Sequence, residues 1–447
     1  MTDLLAARAQ MALSLGFHIV FAEIGVAMPL LMVLAEWRWR RSGDGAYLEL
    51  ARRWAKGTAI LFAIGAVSGT VLSFELGLLW PGFMRLAGPL IGLPFSLEGF
   101  AFFTEAIFLG VYLHGWDRVG PRAHLAAGVV VAVSGAASAV FVVLVNAWMN
   151  TPTGFEQSAD GRLVNIDPIA AMQSSAAFEQ ALHMLLAAYA ATGLGVAGVH
   201  SWLLLRGGSR AFNRRALEIA LAVGASAALL QPISGDISAR AVAVAQPIKL
   251  AALEGLWKTE RGAPLSIGGW PDAAREETRW ALKIPYGLSL LAFHDPSAEV
   301  KGLESAKRAD WPPIALVHSA FQLMVGLGSA MALVSLWCAW VAWRRRDLTA
   351  QRGLLRALVL IAPFGFIATE AGWIVTEVGR QPWVVRGLLR TADAVTPMPG
   401  LVVPMLLFTL LYLGLGAIVV TLIASLVRET AASPADAATG AAGGATT

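Results

Sequence analysis

Residues 401–427 read LVVPMLLFTLLYLGLGAIVVTLIASLV, without one charged side chain. An α-helix rises ~1.5 Å per residue, and about 20 apolar residues cross the ~30 Å hydrocarbon core of a bilayer. The run is therefore long enough to span. It shows no alternation and far exceeds the ~10-residue strands of a membrane barrel, so a strand reading fails. Working back toward the N-terminus, eight more stretches share this character, near residues 11–35, 57–79, 95–115, 125–149, 177–205, 216–240, 313–342 and 357–377. The first is too long for a signal-peptide core and carries His18 and Glu23 inside it. The pattern predicts an all-α integral membrane protein: one bundle of about nine transmembrane helices over 1–430. The Ala/Gly/Thr-rich tail, 431–447, is expected to be disordered.

Composition agrees. Of 447 residues, 57% are hydrophobic and 14% charged, against roughly 25% charged in soluble domains. Ordinary soluble proteins and disordered chains are both excluded. A net charge of +4 with scattered basic residues gives no footprint for nucleic acid. Cys338 is the single cysteine, which excludes disulfides within the chain, iron–sulfur clusters and covalent c-type haem attachment.

Lys and Arg set the expected orientation. Eighteen fall in the connections after the first, third, fifth and seventh spans and in the tail. Six fall in the opposite connections, leaving aside the long segment 241–312, whose length weakens its vote. The N-terminus is predicted outside and the C-terminus inside. Segment 241–312 mixes Pro, Gly, Trp and both charge signs, and is expected to be an ordered outer-face loop with short helices. A loop this long is uncommon unless functional.

Ionisable groups inside a membrane are expensive and mark function by default. His18, Glu75, Glu98, Glu105, His183, Glu370 and Glu377 lie within apolar spans, nearly all in the predicted outer half. Glu98 and Glu105 are seven apart and so share a helix face. Capping charges would appear at both ends of the spans, whereas this clustering points to one shared polar site. His, Met and carboxylate together are the side chains that ligate haem iron, and Met324 joins the set. Singly, each signal is weak. A lone buried His packs against Ser or a carbonyl more often than it ligates, a lone Met is usually core filling, and Glu98 with Glu105 could be a structural pair. Trp37, Trp39, Trp54, Trp80, Trp311 and Trp343 fit interfacial belts. A plain surface role is expected for His114, His124, His200 and His294; His318 is less clear.

Several strings are more specific. Gly372-Trp373-Ile374-Val375-Thr376-Glu377-Val378-Gly379-Arg380-Gln381-Pro382-Trp383 resembles the GWxxxEVGRQPW signature of cytochrome bd-type quinol oxidase subunit I. Met324-Val325-Gly326-Leu327-Gly328 resembles that family's MVGLG segment, and 246–254, QPIKLAALE, its quinol-loop motif. Glu98-Gly99-Phe100-Ala101-Phe102-Phe103-Thr104-Glu105 and Gly115-Trp116-Asp117-Arg118 are similar to its third span and following turn. The matches run in order over nearly the whole chain.

The resemblance implies quinol oxidation at the outer face and reduction of O2 to water within the bundle. His183 and Met324 would be axial ligands of a low-spin haem b. His18 and Glu377 would each ligate one of two high-spin haems, a haem b and either haem d or a third haem b, with Glu98, Trp373 and Arg380 close by. Lys249 and Glu254 would bind and deprotonate quinol, and Glu105 would belong to the proton route. Expected partners are a second membrane subunit (subunit II), a possible single-span accessory subunit and lipid. The short 241–312 loop resembles the short-loop branch. The long-loop branch carries Arg where Gln322 stands, and loss of that cation is expected to lower the low-spin haem potential. Two other readings remain open: a dihaem cytochrome b anchor serving another enzyme, and a proton-coupled transporter without haem.

Overall fold

The computed structural model describes residues 1–432, and among them nine helical spans are long and apolar enough to cross a membrane. Two helical hairpins come first: α1 (Asp3–Ser42) with α2 (Gly45–Leu79), then α3 (Pro81–His114) with α4 (Pro121–Asn150). Strands β1 (Glu156–Gln157) and β2 (Leu163–Val164) and helix α5 (Pro168–Met172) lead to the hairpin of α6 (Ala177–Leu205) and α7 (Arg210–Ala245).

The next segment is ordered, with the short helices α8 (Pro247–Glu254) and α9 (Gly287–Phe293). It also holds strands that its composition did not announce: β3 (Glu260–Arg261), β4 (Leu265–Ile267), β5 (Trp270–Asp272), β6 (Glu277–Arg279), β7 (Leu282–Ile284) and β8 (Glu299–Val300). They pair antiparallel and nested, β3 with β8, β4 with β7 and β5 with β6. Gly268 and Gly269, at φ +66° and +99°, make the left-handed turn between β4 and β5 that a side chain would resist. Helices α10 (Ile314–Trp343), α11 (Arg352–Ile361) and α12 (Phe364–Val378) follow, then β9 (Trp383–Val385) paired with β10 (Leu389–Arg390), α13 (Thr391–Ala394) and α14 (Val402–Ala432).

The helices outrun the apolar cores that reveal them. α3 starts at Pro81 rather than near 95, because proline suits a first helical position, where no N–H partner is needed. The eighth span is two helices, interrupted at Ala362-Pro363; proline has no N–H to continue the ladder. α14 carries the chain helically through Ala432, and the rest of the tail expected over 431–447 falls beyond it. Residues 433–447 lie outside those described.

Hydrogen bonds sort the connections into two ends. At one end the Asp3 carboxylate accepts from the N–H groups of Gly400 and Leu401, at 3.0 and 2.9 Å. There Thr396 N–H donates to the Leu79 carbonyl at 2.8 Å and Arg386 N–H to that of Met149 at 3.1 Å. Lys249 joins the same end through Asn150. At the other end Arg215 pairs with Asp44 at 2.9 Å and Arg210 with Asp347 at 2.6 Å. The 247–312 segment thus shares its end with the N-terminus. α1 is the central helix, packed on α2, α4, α6 and α14. Close crossings use glycine: a Cβ on Gly193 of α6 would stand 2.5 Å from Gly224 Cα of α7.

The surface reading of four histidines holds for His114 and His294, which are exposed, and fails for His124 and His200, which are buried. His124 lies 3.0 Å from a Glu36 oxygen and 2.9 Å from the Tyr112 carbonyl, and His200 lies 2.8 Å from Asn213 Oδ1. Helix ends supply these polar partners, so an imidazole near the interface packs inward without losing its hydrogen bonds.

Candidate functional site

His18 on α1 and His183 on α6 are held alike. His18 Nδ1 lies 3.0 Å from Ser68 Oγ, and that hydroxyl donates to the Ile64 carbonyl at 2.9 Å. His183 Nδ1 lies 2.9 Å from Ser234 Oγ, which donates to the Gln231 carbonyl at 2.9 Å. Because each serine proton goes to a carbonyl, the serine oxygen accepts and the ring proton sits on Nδ1. The lone pair is left on Nε2, the tautomer a metal-ligating histidine needs, with a second group fixing the ring. At His183 the Gln231 amide meets Nε2 at 3.1 Å, so ligation there requires Gln231 to turn away.

Three of the four candidate iron ligands stand against a glycine. A Cβ on Gly69 of α2 would sit 3.0 Å from His18 Cε1, one on Gly235 of α7 3.7 Å from His183 Cε1, and one on Gly372 of α12 3.1 Å from Met324 Sδ. A side chain at Gly69 or Gly372 would crowd the space its neighbouring ligand occupies, whereas the contact at Gly235 is ordinary van der Waals distance.

Glu377, at the end of α12, accepts from Arg380 at 2.5 Å and from the Asn146 amide of α4. Trp373 stands one turn earlier and Glu370 two turns earlier, so all three share a face of α12. Arg380 is buried at 4% exposure, yet its Nε and Nη1 have no hydrogen-bond partner among the described residues. Orphaned guanidinium donors are costly, and the carboxylates of haem propionates are acceptors that fit them. With two Nδ1-protonated histidines and a thioether against glycine, the donor set suits haem.

Lys249 reaches the same place. Its Nζ donates to Asn150 Oδ1 and to the Thr376 carbonyl, both at 3.2 Å. Burial, with the Arg380 charge nearby, brings its ammonium down to about 7. A cleft of about 150 Å³ opens beside it, lined among others by Gln246, Asp310, Arg380 and Arg386. Glu254 looks elsewhere. Its carboxylate accepts the Ser266 N–H at 3.3 Å, and burial pushes it up to about 7. α8 therefore presents the two residues to different neighbours, and among the described residues they share no partner. Gln322 also serves the loop: its amide bonds Ser266 and Gly268 of the β4–β5 region.

Glu98 and Glu105 both face α4. Ser138 donates to Glu98 at 3.2 Å, and the Glu105 carboxylate lies 3.1 Å from where a Cβ on Gly135 would stand. The sequence reading passed over Asn146 and Asn150, whose amides tie α4 to Glu377 and Lys249. Two asparagines four apart at the end of an apolar span were a usable signal. Ser68 and Ser234 gave none, since serine is common in membrane helices.

Residues 6–431 match the family model described as cytochrome bd terminal oxidase subunit I. A Bacillus subtilis (strain 168) protein named as a cytochrome bd menaquinol oxidase subunit I is 39% identical over 426 residues, 94% of this chain and 95% of its own. The same organism's cytochrome bd ubiquinol oxidase subunit 1 is 32% identical over 437 residues, 94% and 93% of the two chains. The solved bd oxidase of Geobacillus thermodenitrificans superposes with a TM-score of 0.90 at 39% identity, over 96% of this chain and 99% of that one. The chain belongs to the cytochrome bd terminal oxidase subunit I family.

Proposed function

We propose a division of roles within a quinol:oxygen oxidoreductase of the bacterial cytoplasmic membrane, the enzyme class that family membership gives this multi-pass chain. His183 and Met324 would hold a low-spin haem b. His18 and Glu377 would hold two high-spin haems, a haem b and either haem d or a third haem b, with Trp373 and Arg380 beside them. Bound there, haem supplies one-electron transfer and an iron position open to O2.

The side chains handle the protons. Oxidising a quinol releases two, and Lys249 and Glu254, both near 7, accept protons at neutral pH. Reducing O2 to water consumes four, which Glu105 and Glu98 deliver along α3. By the Lys/Arg distribution the quinol end faces outward. Releasing protons there while taking them up from inside separates charge without a pump. The bundle works beside subunit II and, where present, a small accessory subunit.

The observation that carries this reading is Lys249 reaching the Thr376 carbonyl at 3.2 Å, next to Glu377, because it joins the quinol-loop motif to the helix of a candidate ligand. A reduced-minus-oxidised spectrum of the purified complex, with haem extraction, tests it. Low-spin and high-spin components are expected together. A preparation with low-spin haem alone would favour the dihaem anchor, and a colourless one the transporter.

A further inference from the structure

His318 and Gln322 stand one turn apart on α10, and both bond the loop segment between α8 and β5. Gln322 donates from Nε2 to the Ser266 carbonyl at 2.9 Å and accepts the Gly268 N–H at 2.9 Å. His318 is fully buried, with Nδ1 2.7 Å from the Leu253 carbonyl and Nε2 3.1 Å from the Gly268 carbonyl. The Ser266 N–H donates in turn to the Glu254 carboxylate at 3.3 Å. The contacts close a ring through Glu254, Ser266, Gln322, Gly268, His318 and Leu253, which is peptide-bonded to Glu254.

The segment needs such a ring. Its strand pairs are two or three residues long, and isolated short hairpins are marginal. Anchors must fix its place on the bundle. The two α10 side chains supply four contacts, every one to loop backbone. The imidazole lies between two backbone carbonyls, one at each ring nitrogen. The Gln322 amide is matched as closely: arginine has no acceptor for the Gly268 N–H, and an ionised glutamate no donor for the Ser266 carbonyl. Gln322 also lies two residues before Met324, so loop anchors and candidate ligand share one rigid helix.

We infer that His318 and Gln322 are positioning residues for quinol oxidation: they lock the end of α8, and with it the Glu254 carboxylate, at a set place beside the Met324 helix. This rests on the reading that Glu254 accepts a quinol proton. The test uses the purified complex, with His318→Leu, Gln322→Leu, the milder Gln322→Glu, and Glu254→Gln in parallel. The clamp variants should keep the wild-type haem spectrum and exchange the Ser266 and Gly268 amide hydrogens faster. Their KM for a short-chain quinol should rise about tenfold, the weight of one or two lost hydrogen bonds, while kcat changes little. An unchanged KM despite faster exchange overturns the inference, and so does haem loss in all three clamp variants, which would make the pair a prop for the bundle. Wild-type quinol oxidation in Glu254→Gln would instead remove the reading beneath it.

Discussion

The sulfur of Met324 lies 3.1 Å from the point where a side chain on Gly372 would begin. The pair sets the spacing of α10 and α12 beside the candidate low-spin site. Gly372→Ala should force the thioether to shift, at a packing cost of about 1–3 kcal/mol. The low-spin haem spectrum should change while high-spin absorption stays. Identical low-spin bands in Gly372→Ala and wild type would count against Met324 as a ligand.

The two serines behind the histidines separate the haem sites. Outer-shell partners typically contribute about 10- to 100-fold to metal affinity. Ser234→Ala should weaken low-spin haem retention alone, and Ser68→Ala high-spin retention alone. Difference spectra and extracted haem stoichiometry report both. Equal loss of all haems in either variant would contradict the assignment of His18 and His183 to separate centres.

Lys249→Met should lower quinol kcat/KM by about 10- to 100-fold, the span expected for a lost hydrogen bond to a charged group. Haem content should hold. Steady-state oxygen uptake against quinol concentration gives the number, and a full wild-type rate would disconnect the cleft from quinol.

Glu254 gives a pH dependence with a defined sign. Burial raises its carboxyl from 4.5 to about 7, so it is protonated below 7 and able to accept a proton above. Quinol kcat/KM should climb as pH passes through about 7, and Glu254→Gln should flatten that limb. The same shift bears on stability. Between 4.5 and about 7 the folded chain holds a proton that the unfolded chain has released, so this group's contribution falls as pH rises through that window.

Glu105→Gln keeps the size and shape of the side chain but cannot carry a proton. If Glu105 relays protons, oxygen turnover should fall by about 10²- to 10⁴-fold with quinol KM unchanged. A fall of less than twofold would mean the carboxyl is structural.

Much of this was legible in the chain. The nine spans could be read because charge is excluded from long runs, and the departures at Pro81 and Pro363 sit where a helix continues past the apolar core or breaks within it. Glu98 and Glu105 on one face followed from spacing alone. His124 and His200 were misjudged because position along a helix does not show what a neighbouring helix end offers.

By itself the sequence determined the helical membrane class, the order of the spans, and the side chains able to ligate iron or carry protons, because apolar length and residue chemistry are local properties. Only the tertiary structure decided which groups meet. It brought Lys249 to the Thr376–Arg380 end of α12 and left Glu254 five residues on with different neighbours. It used the Ser68 and Ser234 hydroxyls to fix two imidazole tautomers, and turned Gln322 toward the loop backbone. These are contacts between residues 50 to 127 positions apart, and partners so distant in the chain are chosen by helix packing.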